Sequence, residues 1–207
     1  MRLSVRQKVW GLLFLILLLD QVVKIWIKTH MILGQEFHVL GDWFIIHFTE
    51  NNGMAFGMEF GGEAGKLILS VFRIVMVIMI GWWIGVLIRR KYPQGFILSM
   101  SLVLAGAIGN ILDSMFYGLL FSDSQYRVAE FLPEGGGYAG FLHGKVVDML
   151  YFPLMSGHFP AWFPFWGAEP FVFFRPVFNL ADASITIGVF IILLFYRSIF
   201  MEEDVSQ

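Results

Sequence analysis

The sequence contains no cysteine among its 207 residues. Disulfide bonds, thiol catalysis and cysteine-ligated zinc are therefore excluded. Charge is also scarce: Asp, Glu, Lys and Arg make up 14% of the chain, and the net charge of −2 provides no basic surface for nucleic acid. Apolar residues dominate instead, with a hydrophobic fraction of 57% and 23 phenylalanines. A domain of this length has too little interior to bury so much apolar surface in water, so the composition predicts a membrane protein.

Four apolar stretches are long enough to cross a bilayer as helices, which takes about 20 residues. They cover about 9–27, 67–88, 96–116 and 178–196. The first could imitate a cleaved signal peptide. No small-residue cleavage site follows it, however, and it continues into DQVVKIWIK, which indicates a retained helix. We therefore expect one membrane domain over residues 1–207, with outer loops at 28–66 and 117–177.

Basic residues mark one end of each apolar stretch. They are Arg2, Arg6 and Lys8 before the first, Arg89, Arg90 and Lys91 between the second and third, and Arg197 after the fourth. Lys and Arg collect on the cytoplasmic side of membrane proteins. The pattern therefore predicts that both termini and the 89–95 link face the cytoplasm. Arg73 is the exception inside the second stretch, where it lies near the outer end and can snorkel or pair.

The two outer loops differ in character. In the first, EFHVLGDWFIIHFTENNGMAFGMEF mixes β-branched and aromatic residues in short runs, which predicts a small strand-and-turn platform on the membrane surface. The second is long and rich in Gly, Pro and aromatic residues that suit the membrane interface, and its 122–139 part predicts a mobile lid or partner surface. The expected fold class is all-α integral membrane, with four transmembrane helices, a small extracytoplasmic β platform and an extended second outer loop.

Ionisable and amide residues recur at helical spacing inside the apolar stretches. The pairs are Asp20 with Lys24, Asn110 with Asp113, and Asn179 with Asp182. A charge at the bilayer centre costs about 2.5–3.5 kcal/mol even on a lenient scale, so each charge needs a reason. At about 1.5 Å per residue the three helical aspartates all fall in the outer leaflet, and Asp148 lies in an outer segment that dips toward the interface. This shared depth indicates a functional site.

Other interpretations of these polar residues remain open at this stage. They could be helix-packing residues that satisfy one another in a structural subunit, or the acidic chain of a proton-coupled carrier. A carrier favours acids in both leaflets and inverted halves, and the sequence has no internal symmetry. Two carboxylates held close share a proton, which suits activation of water against a peptide carbonyl. Neither His143 nor His158 falls at a metal-ligand spacing.

Five short motifs follow one another along the chain: DQVVK at 20–24, NNGMAFG at 51–57, AGAIGNILD at 105–113, GKVVDM at 144–149 and FNLADASITIG at 178–188. In this order they resemble the motifs of the lipoprotein signal peptidase (signal peptidase II) family. Each string is short, but together they span most of the chain and all four apolar stretches. The family cleaves the signal peptide from diacylglyceryl-modified prolipoproteins, just before the lipidated cysteine.

The resemblance implies a role for each matching residue. Asp148 and Asp182 would be the catalytic pair of an aspartic endopeptidase. The residues that orient the site or contact substrate would be Asp20, Lys24, Asn51, Gly53, Gly109, Asn110, Asp113, Asn179 and Ala181. No cofactor and no metal is implied. The partners would be lipidated prolipoproteins and membrane lipid, the protein a monomer, and its location the bacterial inner membrane with the active site toward the outer leaflet.

Two departures from the family pattern stand out. The family usually has Arg directly after GN-x-x-D, and this chain has Ser114 there; Arg127 or Arg175 would be candidates to replace that charge. The chain also carries an insertion over 115–143 and an extended stretch over 150–176. Neither departure falls on the expected catalytic pair.

Overall fold

A computed structural model describes residues 3–52, 62–173 and 175–201. Three helices are long and apolar enough to cross a membrane: α1 (Val5–His30), α2 (Gly62–Arg89) and α3 (Gln94–Leu112), the last extended by further turns to Leu120. A fourth apolar helix, α5 (Leu180–Phe195), has 16 residues and is therefore about 24 Å long. The part of the chain that the structure describes thus contains three to four potential spans, at the four places predicted.

The long helices expose apolar rather than polar side chains. In α2 only 11% of the most apolar window is buried, and in α1 only 22%. Trp10, Phe14 and Trp82 are each more than half exposed. A helix with this surface is stable where lipid covers it, which agrees with a multi-pass membrane protein.

Helix α3 forms the centre of the bundle, since it contacts α1, α2 and α5. Its neighbours pack on Phe96, Ile97 and Leu104, all buried. The crossing with α5 is close because Gly106 has no side chain: a Cβ there would lie 2.2 Å from the carbonyl oxygen of Ala181. Small residues of this kind let two membrane helices bring their backbones together.

Helix α3 changes its winding at the end that carries Asp113. A π-helical turn (Asp113–Tyr117) follows it and leads into the short α4 (Gly118–Leu120). Single π turns occur mostly inside helices, frequently at functional sites. Here both Asp113 and Tyr117 are buried.

A four-stranded antiparallel sheet caps this end of the bundle. Its strands in order are β1 (Glu36–Leu40), β2 (Phe44–Asn51), β3 (Val146–Tyr151) and β6 (Val177–Phe178), and a separate hairpin pairs β4 (Met155–His158) with β5 (Pro170–Phe173). The platform expected from the first loop is present in β1 and β2. The all-α label is too narrow, however, because the second outer loop supplies four strands, and Asp148 lies on one of them rather than on a dipping segment.

The insertion packs against the sheet instead of standing apart as a mobile lid. Phe121 and Ala129 are buried in a second core with Ile27 of α1, Phe48 of β2 and Val147 of β3. This aromatic content, which suggested a lid or partner surface, is used in part to fill the space between α1 and the sheet. A last short helix, α6 (Ser198–Met201), follows α5.

Candidate active site

Asp148 reaches the site from the middle of β3. The strand is paired with β2, opposite Thr49, and the Asp148 side chain is only 3% exposed. Its two carboxyl oxygens accept hydrogen bonds from amide groups: Asn51 Nδ2 donates to Oδ2, and Asn179 Nδ2 donates to Oδ1 at 2.7 Å. Both donors had been expected to support the site.

Asp182 is held at the start of α5 by a capping box. Asn179 is the N-cap residue, and its Oδ1 accepts the backbone N–H of Asp182 at 2.9 Å. In return, Asp182 Oδ2 accepts the backbone N–H of Asn179 at 3.3 Å. The i,i+3 spacing of this pair therefore has a local cause, since each residue satisfies a helix-end donor that would otherwise be orphaned.

Asn110 and Asn179 join the two carboxyl groups into one network. Asn110 Nδ2 donates to Asp182 Oδ1 at 2.7 Å, and its Oδ1 accepts from Asn179 Nδ2 at 3.0 Å. Asn179 Nδ2 is the same group that binds Asp148. Both carboxyl groups thus bind Asn179: Asp148 accepts from its side-chain Nδ2, and Asp182 accepts from its backbone N–H.

Lys24 determines which way Asn110 faces. Lys24 Nζ donates to Asn110 Oδ1 at 3.0 Å and forms ion pairs with Asp20 at 2.9 Å and Asp113 at 2.8 Å. An ammonium group only donates, so it requires the amide oxygen of Asn110 and leaves the amide nitrogen for Asp182. The three charged side chains are at most 1% exposed, and burial at that level is tolerable only with partners of this kind.

The two carboxylates that bind Lys24 each support one side of the site. Asp20 Oδ1 accepts the backbone N–H of Ala181, next to Asp182, at 3.0 Å. Asp113 Oδ2 accepts the backbone N–H of Val147, next to Asp148, at 3.2 Å. Asp113 therefore supports the strand that carries Asp148 and does not contact the Asp148 carboxyl itself.

Gly109 and Ala181 keep this region open enough for the network. A Cβ at Gly109 would lie 2.8 Å from Asp20 Oδ2 and 3.1 Å from the Ala181 Cβ. Ala181 is fully buried. Gly53, the remaining residue expected at the site, lies outside the described residues.

Gln21 belongs to the network although its role was not expected. Its Nε2 donates to Asp113 Oδ1 at 2.9 Å and to Asp20 Oδ2 at 3.1 Å, and its Oε1 accepts from the Tyr117 hydroxyl at 3.1 Å. The available signal was an amide residue inside an apolar helix, directly after Asp20.

Charge distinguishes the two aspartates of the site. Burial, and after it the nearby Asp182 carboxyl, raises the pKa of Asp148 to about 7. Asp182 is half-buried and interacts with the positive charge of Arg73 in α2. Arg73, which could snorkel or pair, thus lies near enough to Asp182 for their charges to attract.

The candidates to replace the family's arginine lie elsewhere. Arg127 and Arg175 are both exposed, so neither fills a buried position beside the aspartates. Ser114 donates its hydroxyl to the Asn110 carbonyl at 3.1 Å, one turn back along its own helix. The expectation that Arg127 or Arg175 replaces the family's arginine was therefore wrong, because both side chains are exposed.

Comparison with known sequences gives this geometry its context. The family described as signal peptidase (SPase) II matches residues 12–199. A lipoprotein signal peptidase of Porphyromonas gingivalis is 52% identical over 196 residues, which is 94% of this chain and 85% of the relative. The chain belongs to the signal peptidase II family. The family resemblance suggested by the five motifs is thereby confirmed.

A more distant relative and two solved structures are also similar to this chain. A lipoprotein signal peptidase of Amoebophilus asiaticus is 38% identical over 93% of this chain and 80% of its own length. Two solved structures, each of a bacterial membrane enzyme, have TM-scores of 0.57. One is 26% identical and covers 92% of this chain and 94% of its own. The other is 23% identical, covers 97% and 90%, and supports the fold alone.

Proposed function

We propose that this signal peptidase II family member is an aspartic endopeptidase that removes signal peptides from diacylglyceryl-modified prolipoproteins, before the lipidated cysteine. The observation that carries the proposal is the pair of carboxyl groups on Asp148 and Asp182, which come from different elements and bind the same residue, Asn179. The Asp182 charge also raises the pKa of Asp148. Two carboxyl groups whose charges repel hold one proton between them most readily, which is the state that acid–base hydrolysis of a peptide requires.

The two aspartates would take different roles. Asp148 has its pKa raised to about 7 by burial and by Asp182, so below that pH it holds a proton and can polarise the scissile carbonyl. Asp182 accepts hydrogen bonds from Asn110 and from the backbone of Asn179, contacts that suit a carboxylate acting as base on water. The same proton on Asp148 would then pass to the leaving amine.

The exposure of the site suits entry of a peptide from the Asp182 side. Asp182, Asn110 and Asn51 are half-buried, whereas Asp148 and Asn179 are buried behind them. An extended signal peptide bound along the sheet edge would bring its carbonyl to the exposed side of the pair. Its diacylglyceryl chains would remain in lipid beside the helices.

The proposed orientation places this site at the outer leaflet. Lys24, Asn110 and Asn179 lie at one end of the bundle, under the sheet. The basic links, above all 89–95 between α2 and α3, lie at the opposite end. Because basic residues stay in the cytoplasm, both termini would be cytoplasmic and the sheet extracytoplasmic.

Cleavage by the purified protein tests the proposal. We expect it to cut a diacylglyceryl-modified prolipoprotein and to leave the same precursor intact when its cysteine is unmodified. A mass measurement of the product should place the cut directly before the modified cysteine. Absence of cleavage under conditions where the P. gingivalis relative cuts the same substrate would contradict the proposal, and would favour the carrier or structural-subunit alternatives.

A further inference from the structure

A second cluster of buried charges lies apart from the aspartate network. Lys28 of α1 forms an ion pair with Glu50 of β2, and Lys28 Nζ also contacts Ser124 Oγ at 2.8 Å. The Lys28 and Glu50 side chains are 0% and 2% exposed. Lys145 approaches the other Glu50 oxygen at 3.6 Å. None of these groups has a part in the proposed hydrolysis.

The insertion completes this cluster. The ring of Tyr138 lies 4.9 Å from Lys28 Nζ and 5.5 Å from Lys145 Nζ, and that of Phe121 lies 5.6 Å from Lys28 Nζ. Aromatic faces attract cations, so the rings help to balance two lysines that share one carboxylate. Because Ser124, Phe121 and Tyr138 all belong to the insertion, the cluster would be incomplete without it.

Backbone contacts hold the insertion in this position. Leu33 N–H donates to the Ser124 carbonyl at 3.0 Å, and Ala129 N–H donates to the Lys28 carbonyl at 3.3 Å. The Lys145 N–H donates to the Tyr138 hydroxyl at 2.6 Å. The insertion is thus bonded both to the end of α1 and to the segment that leads into β3.

Glu50 and Asn51 point to opposite faces of β2, because side chains alternate along a strand. Glu50 faces the lysine cluster, whereas Asn51 faces the aspartates and donates to Asp148. A bulge interrupts the β2–β3 pairing between Ile46 and Thr49. Beyond the bulge, the last three residues of β2, 49–51, pair with β3, whereas the pairing with β1 ends at His47. This end is therefore held by one short stretch of pairing, to which the contacts of the Glu50 side chain add. A twist of that end would move Asn51 away from Asp148.

We propose that Glu50 is a positioning residue: held by Lys28 and the insertion, it fixes the end of β2 so that Asn51 reaches Asp148. The insertion then helps to hold the site in place, because it contacts Glu50 on β2, the strand whose Asn51 binds Asp148. The proposal concerns how the site is held, and only its activity readout rests on the proposed function.

The effect should be visible in how Asp148 titrates. Asn51 donates to the Asp148 carboxylate, and a hydrogen bond to the charged form favours that form. Burial and the Asp182 charge raise the pKa of Asp148 to about 7 although Asn179, Lys24 and Asn51 oppose the rise. Loss of the Asn51 bond should therefore raise this pKa further, while Asn179 and Lys24 continue to oppose the rise. The charges facing Glu50 itself are Lys28 and Lys145.

The test compares Glu50→Gln with Asn51→Ala. The pKa of Asp148 is measured from the infrared carbonyl band of its protonated form, identified by subtracting the spectrum of Asp148→Asn. Both variants should raise this pKa by about one unit, the worth of one hydrogen bond to a charged acceptor, and the double variant should add nothing more. The upper limb of the pH profile for cleavage should move by the same amount.

Glu36→Gln on the neighbouring β1 is the matched control, since Glu36 is 42% exposed and binds His47 rather than a buried lysine. It should leave the pKa of Asp148 unchanged. An unshifted Asp148 in Glu50→Gln, beside a shifted one in Asn51→Ala, would overturn the positioning role. So would full additivity in the double variant.

A milder variant covers the case in which Glu50→Gln leaves Lys28 too poorly paired to fold. Ser124→Ala removes one hydroxyl from the cluster without unpairing a charge, and it should raise the pKa of Asp148 by a smaller amount; no rise would contradict the proposal. An error in the proposed function would be visible separately, because Asp148→Asn would then still cleave substrate. The infrared titration of Asp148 would still show whether Glu50 positions Asn51.

Discussion

Asn179 performs two tasks that can be separated by substitution. Its Oδ1 caps α5 by accepting the Asp182 N–H at 2.9 Å, and its Nδ2 donates to Asp148 at 2.7 Å. Asn179→Ala removes both functions. Asn179→Ser keeps a capping oxygen, because serine is as good an N-cap as asparagine, but its short side chain has no amide to reach Asp148.

The structure gives each loss a magnitude. Losing the cap should lower the free energy of unfolding of Asn179→Ala by about 1 kcal/mol relative to Asn179→Ser. Losing the donor to Asp148, a hydrogen bond with a charged acceptor, removes about 1.5–3 kcal/mol of orientation and charge stabilisation. At about 1.4 kcal/mol per factor of ten, kcat should fall roughly ten- to hundredfold, and equally, in both variants.

Two measurements on each purified variant decide the matter: thermal unfolding in detergent, and the rate of cleavage of a lipidated prolipoprotein across a range of pH. We expect the serine variant to be the more stable of the two and no more active than the alanine variant. If Asn179→Ser instead cleaves at the rate of the unchanged protein, Asn179 acts only as a helix cap, and its contact with Asp148 has no part in catalysis.

Three other outcomes test the membrane network and its orientation. Lys24→Met should lower the free energy of unfolding by about 3–5 kcal/mol, because two buried carboxylates lose their shared counter-ion; an unchanged Tm would contradict this. Gly106→Ala should unfold at a lower temperature than Gly11→Ala, since its Cβ would lie 2.2 Å from a carbonyl oxygen of α5, whereas Gly11 has nothing within 4 Å; equal Tm values would show that α3 and α5 separate freely. Single cysteines at positions 91 and 136 should differ on intact cells, with an impermeant thiol reagent labelling 136 and sparing 91; the reverse pattern would invert the proposed orientation.

Hydropathy located the helices well but not their ends. The first stretch was expected over 9–27, and α1 runs over Val5–His30. The difference arises because a helix continues to its caps, here a capping box at Ser4, and because Lys24 and Lys28 are satisfied inside the protein rather than in lipid. Likewise α5 begins directly after Asn179, whose side chain accepts the backbone N–H of Asp182.

The sequence predicts that the polar residues lie at one level, and the structure joins them in one network. The hydrogen-bond partner of each residue, however, is not predictable from the sequence. Asp20 and Lys24 were predictable as a pair from their spacing. Asp20 also accepts a hydrogen bond from the backbone N–H of Ala181, which lies 161 residues away in the sequence. This bond depends on the crossing of α1 and α5, which no local sequence pattern encodes. The attraction between the charges of Arg73 and Asp182 is not predictable from the sequence for the same reason, since the two residues lie on different helices.

The largest gap between prediction and structure lies in the second outer loop. The segment VVDMLY has strand-forming residues, but its partner β2 lies about a hundred positions earlier, so its pairing is non-local. The insertion was interpreted from its glycines and aromatics, whereas its position depends on single residues such as Ser124 and Tyr138 that fit a pocket made by other elements. Composition alone does not distinguish an aromatic that packs inward from one that faces lipid.

The most direct test of the account is whether Asp148 and Asp182 act as one catalytic unit. Asp148→Asn, Asp182→Asn and the double variant are nearly isosteric changes, and Asp42→Asn is the control because the Asp42 side chain is 97% exposed. With purified protein and a diacylglyceryl-modified prolipoprotein, each single change should abolish turnover, the double change should be scarcely worse, and the control should cleave normally. Substantial cleavage by either single variant, in a protein that still folds and inserts, would contradict the central claim and direct attention to Asp113 or Asp20.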